Sequence, residues 1–148
     1  MASSSIPTYI NGALALIRAR PSLATVQILD GPPTTELADD YIAVGLSEGG
    51  EAVSGYQSPN ALGNQRRSEE YAINCQVSSI DGDADMAVAR ARCFVLFAEV
   101  EAAIRADGTG SGAVMFADIG ATNYSQEQDE TGANATLNFT LSVRLSRI

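Results

Sequence analysis

From Leu137 to Ser146 every second residue is apolar. Leu137, Phe139, Leu141, Val143 and Leu145 alternate with Asn138, Thr140, Ser142, Arg144 and Ser146. Successive strand side chains point to opposite faces, so this run commits the end of the chain to a sheet with one buried side. The segment 69–79 repeats the pattern. Tyr71, Ile73, Cys75 and Val77 share one face, and Asn74, Gln76 and Ser78 share the other, which is expected to be wet or partner-facing. Asp129-Glu130-Thr131-Gly132 separates an arm at 113–128 from an arm at 133–147, which predicts one long hairpin, with Gly120 expected at a bulge or bend.

Two segments change period. Ile6, Ile10, Ala13, Leu14 and Ile17 recur at helical spacing and predict a helix over 6–20, with Ser4 or Ser5 as cap and Pro7 in the first turn. Met86, Ala89, Cys93, Leu96, Phe97, Val100 and Ile104 predict a second helix ending near Ala106, with Phe94 and Val95 expected to widen its buried stripe. Strands are expected at 25–29 and 40–46. The order α-β-β-β-α-β-β reads as an α+β fold with a mostly antiparallel sheet and two helices packed on it, in one domain over 1–148. The stretch 47–68, rich in Gly, Pro and Asn and closed by Arg66-Arg67, reads as a long loop, a kind of segment that usually carries function.

Histidine, lysine and tryptophan are absent from all 148 residues. Histidine and lysine carry much of the acid–base and covalent chemistry of enzymes near neutral pH, so the composition argues against an enzyme and no catalytic residue is assigned. A Ser-His-Asp arrangement is impossible. The net charge of −9 repels nucleic-acid phosphates, so sequence-specific DNA binding is not expected. No apolar run reaches the length a bilayer needs, so no membrane contact is expected. No basic residue precedes the first apolar stretch, which argues against a secretory signal and for a cytoplasmic fate.

Other local patterns have plain readings. Asp81, Asp83 and Asp85 begin like a calcium loop, but Met86 and Arg92 stand where glycine and glutamate are required. Helix capping and favourable charge at a helix N-terminus explain these acids, and no metal is expected. Gly108-Thr109-Gly110-Ser111-Gly112 follows a helix and leads to a strand, the reverse of a phosphate loop, so no nucleotide or other cofactor is implied. Cys75 and Cys93 match no metal or redox spacing and read as buried free thiols, a mutual disulfide being the alternative.

A length argument points to self-assembly. The last strand would run roughly 50 Å, whereas a globule of this size is only about 40 Å across. The hairpin tip at 124–134 is therefore expected to outrun its own core, with the 47–68 segment as a second projection. Candidate subunit contacts on these projections are Tyr56, Arg66 and Arg67, and Tyr124, Gln126 and Gln128. Arg66 and Arg67 read either as solvated loop charge or as partners for acids on a neighbouring copy.

Ordered segments across nearly the whole chain carry a resemblance. They are the N-terminal helix, VQILDGPP, DDYIAVGL, EEYAINCQVSSIDGD running into ARARCFVLFAEVEAAIRAD, and YSQEQDETGANATLNFTLSVRLSRI. In this combination and order the chain resembles the tail terminator, or tail completion, proteins of long, non-contractile-tailed bacteriophages. The resemblance implies a mixed α/β fold and a hexameric ring at the head-proximal end of the tail tube. Such a ring ends tube polymerisation and offers a docking face to the head. The implied partners are further copies of the chain, the tail-tube protein and a head–tail connector protein, with genome DNA passing through unbound. The implied location is the virion tail, assembled in host cytoplasm. An acidic bore would let DNA pass without adhering. Candidate bore-lining acids are Glu48 and Glu51 in the long loop and Glu127, Asp129 and Glu130 at the hairpin turn. The competing readings are a head–tail connector, a tail-tube subunit, and a small-molecule binding module, which would need a deep apolar pocket.

Overall fold

The computed structural model describes residues 4–33, 36–46, 49–59, 67–109, 114, 116–130 and 132–147, with the backbone alone at 56–59, 67–68, 116 and 144–147. The elements are α1 (Ile6–Arg18), β1 (Gln27–Asp30), β2 (Asp40–Val44), β3 (Val53–Pro59), β4 (Arg67–Asp81), α2 (Met86–Ala106), β5 (Phe116–Asp129) and β6 (Gly132–Arg147). A short 3-10 turn at Pro21–Leu23 follows α1. The fold is α+β, as the alternation and helical spacing require. Among the described residues six strands lie in the order β1-β2-β4-β6-β5, with β3 also on β4, and of their pairings only β1–β2 is parallel.

The sixth strand corrects the reading of 47–68 as loop. β2 and β3 run in the same direction along one edge of β4, with Val44 opposite Cys75 and Val53 opposite Ile73. The chain therefore leaves β4 after Val44 and returns at Val53 with only Asn74 between their partners, and residues 47 and 48 lie outside the described residues. Asn74 closes the excursion. Its N–H donates to Ala52 O at 2.9 Å, its carbonyl accepts from Gly45 N–H at 2.8 Å and Leu46 N–H at 2.9 Å, and its side chain donates to Glu51 O at 2.9 Å.

One face of the sheet carries both helices. Ile42, Val44, Tyr71, Ile73, Cys75, Val77, Leu137, Phe139, Leu141 and Val143 meet Tyr9, Ala13, Leu14 and Ile17 of α1 and Ala89, Cys93, Leu96, Val100 and Ile104 of α2 in one core. Phe97 meets Phe139 edge-on at 5.3 Å between centroids. Phe94 and Val95 do not widen the buried stripe. They turn outward, 44% and 61% exposed, because a residue one or two positions from a core residue of a helix lies about 100–200° around its axis.

The helix ends follow local chemistry. Asp85 caps α2, accepting from Ala87 N–H at 3.1 Å and Val88 N–H at 3.4 Å, while Asp81 accepts from Asp85 N–H at 2.9 Å. Ser5 holds the N-cap position of α1 without a side-chain cap, and Ser4 Oγ accepts from Ile6 N–H at 3.1 Å. α1 ends at Arg18, two residues before the expected limit. Arg20 and Ser22 both reach Glu99 Oε2 at 2.7 Å and tie the end of α1 to α2, and these bonds draw the Glu99 carboxyl below its usual range.

Cys75 and Cys93 are buried free thiols. Burial pushes Cys75 up to about 12 and Cys93 up to about 11. Both values are raised above the unfolded 9.0, so the stability these groups contribute is complete below pH 9 and is lost as pH climbs through the folded values. We therefore expect a declining melting temperature between pH 9 and 11, and no reaction of either thiol with iodoacetamide at pH 8 until the chain is unfolded. A thiol that labels rapidly in the native state contradicts this.

Candidate functional site

The sheet face turned away from the helices is one candidate surface. Alternation places Asn74, Gln76 and Ser78 of β4 and Asn134, Thr136, Asn138, Thr140 and Ser142 of β6 on it. These side chains bond to one another. Tyr41 Oη donates to Gln76 Oε1 at 2.6 Å, Gln76 Nε2 to Asn138 Oδ1 at 3.1 Å, and Ser78 Oγ to Asn134 Oδ1 at 3.0 Å. The network rigidifies this face, with Gln76 and Ser78 buried in it and Asn134, Thr136, Asn138, Thr140 and Ser142 half-buried. Exposed acids stand on the same face: Glu70 of β4, and Asp118, Glu127 and Asp129 of β5. Arg144 occupies the next such backbone position of β6.

The expected contact residues scatter. Arg66 and Glu48 lie outside the described residues. Tyr56 of β3 is opposite Glu70, and Arg67 opens β4 opposite Pro59, so this pair belongs to a β3–β4 hairpin rather than an irregular loop. Glu51 is exposed in the excursion that Asn74 closes. Tyr124 and Gln126 face their own α2, and Gln128 the turn that leads into it. Tyr124 packs on Phe94 at 5.1 Å, Gln126 Oε1 accepts from Tyr124 Oη at 3.1 Å and Arg90 Nη1 at 3.4 Å, and Gln128 Nε2 donates to Ala84 O at 2.9 Å. Glu127, Asp129 and Glu130 are exposed at the tip, the first two on the polar sheet face.

The length argument for the tip does not hold. β4 runs alongside β6 from Ser68 opposite Arg147 to Asp81 opposite Ala133, so the body is as long as the hairpin. Ala133 and Ala135 are fully buried. The bulge in the first arm sits between Ala121 and Asn123, beyond Gly120.

The residues alone did not disclose a second surface. Val88, Ala91, Val95, Ala98 and Ala102 form an exposed stripe along α2, and Val88, Phe94 and Val95 are three of the four large exposed hydrophobic residues described. The helical spacing that predicted α2 contains this stripe, but only the packing of the opposite face shows which side is outward. Two open concavities are described. One of about 210 Å³ is lined by Leu46, Asn74, Thr122 and Asn138 among others, and one of about 280 Å³ by Ser54, Glu70, Tyr71 and Ser142 among others. Neither is the deep apolar pocket a small ligand needs. Among the described residues no group of three His, Cys, Asp or Glu side chains is placed to hold a metal, and no helix is long and apolar enough to cross a membrane.

No family model and no curated protein matches the chain. A solved structure does. One chain of the "virion of native gene transfer agent (GTA) particle" superposes with a TM-score of 0.52, at 13% identity, covering 98% of this chain and 99% of that one. The likeness is one of fold, over nearly the full length of both.

Proposed function

We propose that this chain is a structural, non-enzymatic part of a tailed-phage-like particle, and that copies of it close into a ring at the head-proximal end of a tail tube. There the ring ends tube growth and docks the head through a connector protein. The observation that carries this reading is the end-to-end likeness to a chain of a gene transfer agent virion. A stray resemblance between common sheet motifs would cover a part of each chain, not nearly all of both. The order of segments in which the sequence resembles tail terminators, from VQILDGPP to the closing hairpin, supports the narrower role, and the resemblance supplies the expected copy number of six.

The physical chemistry of the surfaces agrees with a ring around DNA. With the helices outward, the polar sheet face lines the bore. Hydroxyls and amides held in a mutual network, with Glu70, Asp118, Glu127 and Asp129 among them, offer phosphates little attraction. DNA would slide through without specific contacts. Six subunits would multiply a formal charge of −9, so assembly is expected to strengthen with salt as repulsion is screened.

Negative-stain images of the purified chain test the reading. Rings with a central hole are expected, more abundant at 0.5 M than at 0.05 M salt. In the particle that encodes it, removal of the chain is expected to give overlong tails without heads. Normal tail length with empty, unattached heads would instead indicate a connector, and absent tails a tube subunit. A monomer at every concentration and salt would overturn the ring.

A further inference from the structure

We propose that neighbouring copies join edge to edge, the β3 edge of one against the β5 edge of the next, so that their sheets become one continuous wall; this rests on the ring reading above. The hydrogen-bond directions carry the proposal. Asn74 directs both its backbone groups toward β2 and β3. In an antiparallel ladder residues alternate in direction, so Ala72 and Glu70 face β3 as well, and their partners Ser54 and Tyr56 bond inward. The backbone groups of Val53, Gly55 and Gln57 then point out of the sheet. The same alternation carried through β6 turns Ala117, Ile119, Ala121, Tyr124, Gln126 and Gln128 outward on β5. Ala117 N–H, donating to Gly108 O at 2.7 Å, agrees with that assignment.

Among the described residues neither row has a partner strand. The start of the β5 row is occupied locally, Ala117 by Gly108 O and Ile119 by its neighbour Asp118 Oδ1 at 2.9 Å. Beyond Ile119 the row is open. The row of β3 at 53–59 and the part of the β5 row at 120–126 carry no charge; Glu127 and Asp129 stand at the far end of β5, Pro59 closes β3, and the bulge between Ala121 and Asn123 interrupts β5.

Direction and stagger agree with closure. β3, β4, β6 and β5 are successively antiparallel, so β5 runs opposite to β3. A neighbour placed by rotation presents its β3 antiparallel to β5, and the alternation continues unbroken. Four strands span about 19 Å, and barrel strands tilt by about 35–45°, so each repeat must slide by about four to six residues. Gly55 lies level with Ala117 through Tyr71 and Val143. With the right-handed crossover expected of the β4–α2–β5 connection and the fixed hand of sheet twist, the slide runs toward higher numbers on β5. It sets Gly55 of the next copy opposite Ala121 or Tyr124, inside the open stretch and past the occupied one.

Disulfide trapping tests the register. On the polar face, Ser54 of one copy falls beside Asn123 or Ser125 of the next. Ser54→Cys combined with Asn123→Cys or with Ser125→Cys is expected to give, on oxidation, a ladder of linked chains ending at the ring number. Each single variant is expected to give none, and Cys75 and Cys93 are buried and silent. Gln57→Pro removes an outward N–H without touching the β4 ladder. It is expected to abolish rings while leaving the melting temperature of the subunit unchanged. Rings by electron microscopy with neither pair linking, or rings persisting in Gln57→Pro, overturn the edge joint and leave the ring. Monomers alone in the unsubstituted chain overturn both.

Discussion

Gly132→Ala is expected to cost about 3–5 kcal/mol, and to lower the melting temperature by about 10 °C in a chain of this size. Gly132 has φ +127°, where side chains are strained, and a Cβ there would fall 2.2 Å from Asp81 O and 3.0 Å from Gly82 Cα. The obstacle is backbone, so no rotamer change relieves it. This is where β4 ends, the hairpin turns and the path to α2 begins, so the clash spreads to the Asp81–Ala133 pairing. Gly82→Ala is the control. A Cβ there meets nothing within 4 Å, and the cost should stay below about 0.5 kcal/mol. Equal effects of the two substitutions, measured by thermal and urea unfolding, would count against the close approach. Because the turn lies beside Glu127, Asp129 and Glu130, Gly132→Ala is also expected to disturb the acidic end of the polar face.

The strands that bury one side were legible because burial itself writes the pattern. Tyr71, Ile73, Cys75 and Val77 alternate because the helices cover that side of β4, and the polar face emerged from the same alternation read in reverse. β3 was not legible. Val53–Pro59 holds a glycine, two serines and a proline and is an edge strand fixed by its ladder to β4, so its side chains carry no period. The excursion at 45–52 was hidden for a related reason, since a single residue, Asn74, closes it through backbone groups. Phe94 and Val95 misled because apolarity was read as burial. Their angle on the helix, not their type, sends them outward. The hairpin tip misled because the length argument assumed a short body, whereas β4 is nearly as long as β6. Of the candidate bore acids, Glu127 and Asp129 share the polar face, while the other described acids there, Glu70 and Asp118, went unnoticed because each stands in a strand rather than at a turn.

Glu69→Ala is expected to remove about 2–4 kcal/mol and to loosen the start of α1. Glu69 is a carboxylate only 1% exposed. Its Oε1 accepts from Ser5 N–H and its Oε2 from Ser4 Oγ, each at 2.6 Å, and Ser5 Oγ lies 2.9 Å from Tyr71 Oη. A strand residue thus performs the capping that Ser5 itself does not supply, its carboxyl oxygens meeting the donors at the start of the helix. Alanine would leave Ser5 N–H buried without this acceptor and open a void the size of a carboxyl group. Glu69→Gln keeps an acceptor and nearly the same volume, so its loss should be smaller, about 1–2 kcal/mol, reflecting the weaker bond to a neutral group. Hydrogen exchange separates this from a general loss of packing. Amides from Ile6 to Ile10 should exchange faster in Glu69→Ala, while those of Leu137–Leu141 change only as global stability changes. Uniform loss of protection, or unaltered stability, would remove Glu69 as the latch. Glu69 stands within the β3–β4 ladder, opposite Gln57, but that ladder is held by backbone groups that the substitution keeps, so loosening α1 should leave the polar face and both open sheet edges in place, and rings should still form in Glu69→Ala at temperatures where the subunit is folded.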